Sequence, residues 1–407
     1  MQDHRRLGRE LELFHSDPLV GAGLPLWLPR GAAARRAVED YLLDLERRNG
    51  YQHVYSPPLA KAEMYYRSGH LPHYADDMFP PMELDPDNAF VLRPSLCPHH
   101  AAVFASRGRS YRELPLRIGE IGGQYRAERS GVLGGLARVR AISLNDGHVF
   151  CAEDQVEDEI VAALAVMREA HAALGFEPSS WRLSLRGEGA KYVDDPPMWQ
   201  RATAVLRRAL EAAGVPYEEA PGEAAFYGPK IDIQLRDYAG RESTLATVQV
   251  DYFMPARFDL SYVDAGGARR RPVMVHRSAA GSMERLFAHL IEVHDGAFPA
   301  WYAPVQVEVL PVGDAVVRGF ADHCRSLGLR VEEVYGGSLA ARIRDASVRR
   351  VPFVAVLGAN ELAAGTVSLR SRDGSVAQLP VPAALDLLAA ECRPPKRAAV
   401  PGSSVPV

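Results

Sequence analysis

The chain has 407 residues, 47% hydrophobic and 24% charged, with a formal net charge of -4. That length is more than one hydrophobic core serves and predicts two or three domains, while the composition excludes disordered and membrane-embedded classes. The slightly acidic balance excludes a globally polycationic nucleic-acid binder and leaves room only for a local basic face.

Positive charge is nearly all arginine, with lysine only at Lys61, Lys191, Lys230 and Lys396, a compositional bias from which no function follows. Cys97, Cys151, Cys324 and Cys392 are scattered and form neither a disulfide framework nor a close-spaced zinc ribbon, which fits a reducing compartment. The opening MQDHRRLGRELELF lacks the apolar core of a signal peptide, and no run of about 18 apolar residues occurs, so a cytosolic, non-membrane protein is expected.

In chain order, Val38, Tyr41, Leu42 and Leu45 share one face and predict a helix over 34–48. NGYQHVYSPPL then predicts a turn, a strand and a proline stop. Between 114 and 150 two extended runs, RIGEIGGQYRA and LARVRAISLNDGHVF, flank a glycine-rich connection and predict an antiparallel hairpin. From 154, Ile160, Leu164, Met167, His171 and Leu174 predict a helix that Gly175 ends. Strands are expected from 182, with strong alternation over 224–262, and RPVMVH runs into the helical pattern GSMERLFAHLIEV.

Strands and helices mix without a βαβ rhythm to about 301. This predicts an α+β first domain over 1–303, an antiparallel sheet with packed helices. From 304 strands and helices alternate (VQVEVLPV, LRVEEVY, VPFVAVLG, TVSLRSRDG), predicting a small α/β domain over 304–392. The Pro-, Ser- and Gly-rich residues 393–407 are predicted to be a disordered tail.

The densest chemistry lies in the hairpin, where Arg126, Glu128, Arg138 and Arg140 flank the turn. Forked guanidinium donors on adjacent strands can grip phosphates, although a solvated face with cross-strand ion pairs is the commoner meaning of such a cluster. Cys97, His148 and His276 are too far apart to form a metal signature by spacing; alone they read as a buried thiol and two satisfied histidines.

These pieces stand in the order found in bacterial threonyl-tRNA synthetases, which the chain resembles from its first residues to about Leu388. DHRRLGRELELF resembles the start of that family's synthetase domain, and GYQHVYSPPL its motif 1, with Pro57 as the motif proline. GQYRAERSGVLGGLARVRAISLNDGHVF resembles motif 2 and PVMVHRSAAGSMERL motif 3; YYRSGHLPHYADDMF, LRPSLCPHH, AAFYGPKIDI and TVQVDYF continue the match. Ordered matches over nearly the whole chain are specific where any one would be weak.

The resemblance implies a class II synthetase catalytic domain followed by an anticodon-binding domain, without the editing domains that precede this core in most bacterial members. It implies a homodimer built on motif 1, with ATP, threonine or a related amino acid, and tRNA as partners, and no DNA. Its cofactors would be one zinc ion per subunit and magnesium with ATP. It makes Cys97, His148 and His276 the zinc ligands, Asp146 the acceptor of the substrate hydroxyl and Tyr227 a neighbour of the amino acid. Catalytic Arg126 would hold the α-phosphate and carboxylate, with catalytic Arg285 on the adenine face and Glu128, Arg138, Lys230 and Gln249 as further ATP contacts. Arg342, Arg344, Arg349, Arg350, Arg370 and Arg372 would meet tRNA.

The chain departs from the family pattern inside the amino-acid pocket. Ser95 and Leu96 replace methionine and asparagine before the zinc cysteine, and His99 replaces a smaller residue. In motif 2, Ile142, Ser143 and Leu144 replace an aromatic or methionine, a threonine and a glutamine, and Ala127 stands where asparagine is usual. Three readings follow: a threonine-tRNA ligase, as a housekeeping or an inhibitor-resistant copy; a relative activating another β-hydroxy or β-amino acid; and a noncatalytic tRNA-binding or regulatory protein. Without editing, serine mischarging is expected, because a methyl-sized difference gives only about 10 to 200-fold discrimination.

Overall fold

The computed structural model describes residues 2–85, 88–189 and 192–395; the expected tail lies, from 396 on, outside the described residues. Two compact units emerge. One takes the N-terminal residues to His15, Leu26–Tyr41 and the chain from Leu290 onward; the other takes Ser16–Pro25 and Leu42–His289. No helix among the described residues is long and apolar enough to cross a membrane.

The predicted first helix, α1, runs Pro29–Arg48 and starts earlier than its apolar stripe because proline is well placed in a first helical turn. Ala34, Val38, Leu42 and Leu45 are fully buried along it. β1 (Gln52–His53) is shorter than its alternating sequence predicts. After α2 (Cys97–Ala105) comes the predicted hairpin, β2 (Leu116–Tyr125) and β3 (Ala141–Cys151), paired antiparallel from Leu116–Phe150 to Tyr125–Ala141.

α3 (Val156–Leu174) carries Glu157, Asp158 and Glu159 in its first turn, where they complement the helix dipole, and ends at Gly175 with φ 81°. Between β4 (Ser180–Leu185) and the further strands expected after it, a helix not expected from the sequence, α4 (Pro196–Ala212), intervenes. Asp195 caps it, its carboxylate accepting from the Met198 N–H at 3.0 Å, and Met198, Trp199, Ala202, Val205, Leu206, Ala209 and Leu210 form its buried stripe. β5 (Glu218–Pro221), β6 (Lys230–Arg236), β7 (Glu242–Asp251) and β8 (Val273–Arg277) follow, then α5 (Met283–Val293).

The strands form one eight-stranded sheet in the order β5-β4-β6-β7-β8-β3-β2-β1. Only the outermost pairs, β5 with β4 and β1 with β2, are parallel. The fold class is therefore the expected antiparallel-rich sheet with packed helices.

The reverse face of β3 and β8 buries a charge pair. Arg277, 1% exposed, donates from Nη2 to Glu46 Oε1 at 2.6 Å and from Nη1 to Asn145 Oδ1 at 3.3 Å; Asn145 Nδ2 donates back to Glu46 Oε1 at 2.7 Å. The guanidinium also lies over the Tyr51 ring, 4.2 Å from its centroid. Burial alone would raise the Glu46 carboxyl, but Arg277, His53 and Asn145 together hold it below its ordinary value. Gly147 makes room, since a Cβ there would stand 2.8 Å from the guanidinium carbon.

The C-terminal segment forms β9 (Val307–Pro311), α6 (Arg318–Ser326), β10 (Val331–Glu333), α7 (Leu339–Val348), β11 (Phe353–Leu357), α8 (Ala359–Ala364), β12 (Thr366–Ser371), β13 (Val376–Pro380) and α9 (Val381–Glu391). The sheet order is β10-β9-β11-β12-β13; β9 is parallel to both neighbours and the remaining pairs are antiparallel. The α/β expectation holds, with α8 and β13 as additions.

Removing one partner of a buried ion pair leaves the other charge uncompensated. Arg277→Met should therefore cost about 3–5 kcal/mol, read as a lowered denaturant midpoint, and pairing it with Glu46→Leu should recover much of that loss.

Candidate active site

Strand register assembles the site. Lys230 of β6 stands opposite Gln249 of β7, Gln249 opposite His276 of β8, and His276 opposite His148 of β3. Directly opposed residues share a face, so these four form a row across four strands on the side away from Arg277. Asp146 and Leu144 lie two and four places from His148 on the same face.

At the His148 end of the row, Cys97 opens α2, and one ligand atom each from Cys97, His148 and His276 lie within 4.8 Å of one another. His148 Nε2 is 3.0 Å from His276 Nδ1, and the far nitrogen of His276, Nε2, lies 2.9 Å from Asp251 Oδ2. Burial drives the His148 ring well below its ordinary value and keeps it neutral, the ligating form. Burial acts the same way on His276, but Cys97 and Asp251 outweigh it and push that imidazole up to about 10. The pocket therefore demands positive charge. A soft cysteine sulfur with two imidazoles, one oriented by a carboxylate, is a donor set suited to zinc.

The amino-acid candidates surround this set. Tyr227 stacks on His276 at 5.3 Å and donates from its hydroxyl to Gln249 Oε1 at 2.5 Å. Burial pushes the Asp146 carboxyl up to about 6, making it a better acceptor than a surface aspartate. Ser95 Oγ lies 2.9 Å from His70 Nε2, whose Nδ1 is 2.8 Å from Ser68 Oγ. Burial lowers the His70 ring to about 4, with His276 and Arg126 adding to the effect.

Farther along the same face arginines gather. Arg285 donates from Nε to the Ala137 carbonyl at 3.1 Å and from Nη1 to the Thr244 carbonyl at 2.5 Å. Burial, then the charges of Arg126 and Arg138, lower it to about 10. Arg138 donates to Glu128 Oε2 at 3.0 Å, and the buried Nε of Arg126 has no hydrogen-bond partner. Three arginines against one carboxylate, one of them with an idle buried donor, make a receptor for a polyanion. Lys230 is held by Asp232, 2.6 Å from Nζ to Oδ2.

His70, His100, Glu120 and Asp251 went unselected in the sequence. Asp251 ends the alternating run TVQVD and His100 the run CPHH, the one local signal each offered. Glu120 is 4% exposed; burial would raise its carboxyl, but His100, Ser56 and Arg93 bring it down to about 2.

The six C-terminal arginines divide. Arg349 forks onto the fully buried Glu308, Nε to Oε1 at 2.9 Å and Nη2 to Oε2 at 2.8 Å. Arg342 donates to the carbonyls of Val334 and Pro311, and Arg372 to those of Ala297 and Phe298. Arg344 is exposed beside Asp345, Arg350 is exposed at φ 61°, and Arg370 is half-buried on β12.

Residues 82–294 match the family described as tRNA synthetase class II core domain (G, H, P, S and T), and residues 306–390 match an anticodon binding domain. The threonine-tRNA ligase of Geobacillus sp. (strain WCH70) is 48% identical over 369 residues, and that of Staphylococcus carnosus (strain TM300) 46% over 368. Each alignment covers 89% of this chain, and the chain spans 57% of the length of these curated relatives. Among solved structures, the RNA binding domain of threonyl-tRNA synthetase from Cryptosporidium parvum Iowa II superposes with a TM-score of 0.91 at 31% identity, covering 97% of this chain and 99% of that one. The prolyl-tRNA synthetase of Giardia lamblia shares the fold, with a TM-score of 0.72 at 19% identity over 94% of this chain and 74% of that one.

Arg349→Ala strands the carboxylate of Glu308 and should cost about 3 kcal/mol, whereas Arg350→Ala should leave the denaturant midpoint within about 0.5 kcal/mol of wild type.

Proposed function

We propose that this chain, which belongs to the threonyl-tRNA synthetase family of class II aminoacyl-tRNA synthetases, activates threonine with ATP and transfers it to tRNA through a threonyl adenylate. The observation that carries this reading is the division of one sheet face into a clustered Cys97–His148–His276 donor set and a cationic Arg126–Arg138–Arg285 cluster. The first is matched to a metal and an amino acid, the second to the phosphates of ATP accompanied by magnesium. The catalytic domain in this reading runs over 1–303 and the anticodon-binding domain over 304–392.

In the first step a carboxylate oxygen of the amino acid forms a bond to the α-phosphorus, and pyrophosphate leaves with the electron pair of the broken P–O bond. Arg126, through its idle buried donor, neutralises charge that grows on the α-phosphate, so catalysis is positioning and electrostatics. Arg285 holds the adenine face with its planar guanidinium, and Glu128, Arg138, Lys230 and Gln249 fix the rest of the nucleotide. In the second step the terminal ribose hydroxyl of tRNA forms the ester and AMP leaves.

Cys97, His148 and His276 are the residues that would hold one zinc ion per subunit, and that ion, when bound, supplies a Lewis-acidic position for the amino and hydroxyl groups of threonine. Asp146 accepts the hydroxyl hydrogen bond and Tyr227 closes the pocket beside His276. A site built around a hydroxyl rejects valine by leaving its own polar groups unpaired. Motif 1 supports a homodimer, which sedimentation would reveal, and Arg344, Arg350 and Arg370 are the arginines left available for RNA phosphates.

A second reading, activation of a different β-hydroxy or β-amino acid, is favoured by two pocket residues. Ser95 presents a hydroxyl to His70, and Leu144 presents an apolar side chain. Amino-acid-dependent ATP–pyrophosphate exchange separates the two readings. Threonine should support strong exchange, serine some and valine none; exchange with only another amino acid selects the second reading, and none with any amino acid overturns both. Arg126→Ala should lower kcat/KM for exchange about 100 to 1,000-fold, and Cys97→Ser should lose stoichiometric zinc.

A further inference from the structure

One buried histidine belongs to none of the groups assigned above. His100 lies one turn after Cys97 on α2 and is fully buried. Its Nδ1 lies 2.7 Å from Nδ1 of His148, and its Nε2 lies 3.2 Å from Glu120 Oε2. Glu120 is itself held fast: Oε2 accepts from the Ser56 hydroxyl at 2.6 Å, and Oε1 from the Ser56 N–H and from Arg93 Nη2, each at 3.2 Å. Arg93 is anchored in turn, donating from Nη1 to Ser56 Oγ at 2.5 Å.

Proton positions follow from these contacts. A carboxylate surrounded by donors can only accept, so Nε2 of His100 carries a hydrogen and donates to it. One hydrogen lies between the two rings, and a His148 that offers Nε2 to a metal carries it on Nδ1 and donates it to Nδ1 of His100. That leaves Nε2 of His148 as the bare nitrogen, the atom 3.0 Å from His276 Nδ1 in the proposed metal pocket. We infer that His100 and Glu120 are positioning residues that lock His148 in the tautomer presenting Nε2 to a metal ion, as Asp251 does for His276. The relay occupies a space with no slack: a Cβ at Gly122 would meet Leu96 at 2.3 Å, Arg93 at 2.8 Å and Glu120 at 2.9 Å.

The inference rests on the zinc reading of Cys97, His148 and His276, and metal measurements on the whole chain test both. Zinc affinity is measured by chelator competition, and the cobalt-substituted protein is followed by its visible absorption bands. His100→Leu removes both hydrogen bonds and should weaken zinc about 10 to 100-fold while shifting the cobalt bands. His100→Gln can still accept from His148 and donate to Glu120, so it should recover most of the affinity and the wild-type spectrum. Glu120→Gln, with a weaker acceptor, should fall between these two and serves if His100→Leu does not fold. Zinc affinity and cobalt spectrum unchanged in His100→Leu, or in Glu120→Gln where the leucine variant is unfolded, overturn the positioning role. Wild-type protein that takes up no stoichiometric zinc, or Cys97→Ser that keeps it, overturns the zinc reading and the inference with it.

Discussion

The ion pair between Arg277 and Glu46 is the constraint on which the site depends. Neither group reaches water, and each is tolerable in the interior because the other, with Asn145 and, at Glu46, His53, partners it. Asn145 lies on β3 and Arg277 on β8, so the pair fastens the reverse faces of two adjacent strands in one register. A slip by one residue would part the charges and turn His148 and His276 away from each other. Alternation along the strands places a buried charge on one side and the paired His148 and His276 on the other.

The site face sorts charge by position. At one end Cys97 and the Asp251 carboxylate raise the affinity of His276 for a proton; at the other, arginines crowded together in partial burial repel one another. Both ends carry an electrostatic debt in the free protein. Preorganised groups of this kind need little rearrangement when a compensating charge arrives.

Much of the fold was legible locally. The apolar stripe of α1, the glycine that ends α3 and the paired runs of the central hairpin each carry a short-range signal, and each formed where expected. α4 was missed because the chain from 182 was read for strands, although Asp195 followed by Pro196 and Pro197 is how a helix begins. Cys97, His148 and His276 had no local signature, since they come from a helix and two strands brought together by register; family resemblance, not spacing, drew attention to them. His100 and Glu120 were invisible for the same reason. In the C-terminal domain, family resemblance implied RNA contacts at six arginines, but only packing distinguishes Arg349, committed to Glu308, from Arg350, which faces solvent.

The space left by Gly147 has a consequence for inheritance. The guanidinium of Arg277 occupies the volume that any side chain at 147 would claim, and it is there because Glu46 and Asn145 hold it. Four positions spread over more than half of the chain thus form one unit of variation. A chimera joined between the segments that carry Glu46 and Arg277 inherits half of a charge pair from each parent, and folds only where both parents filled this space in the same way.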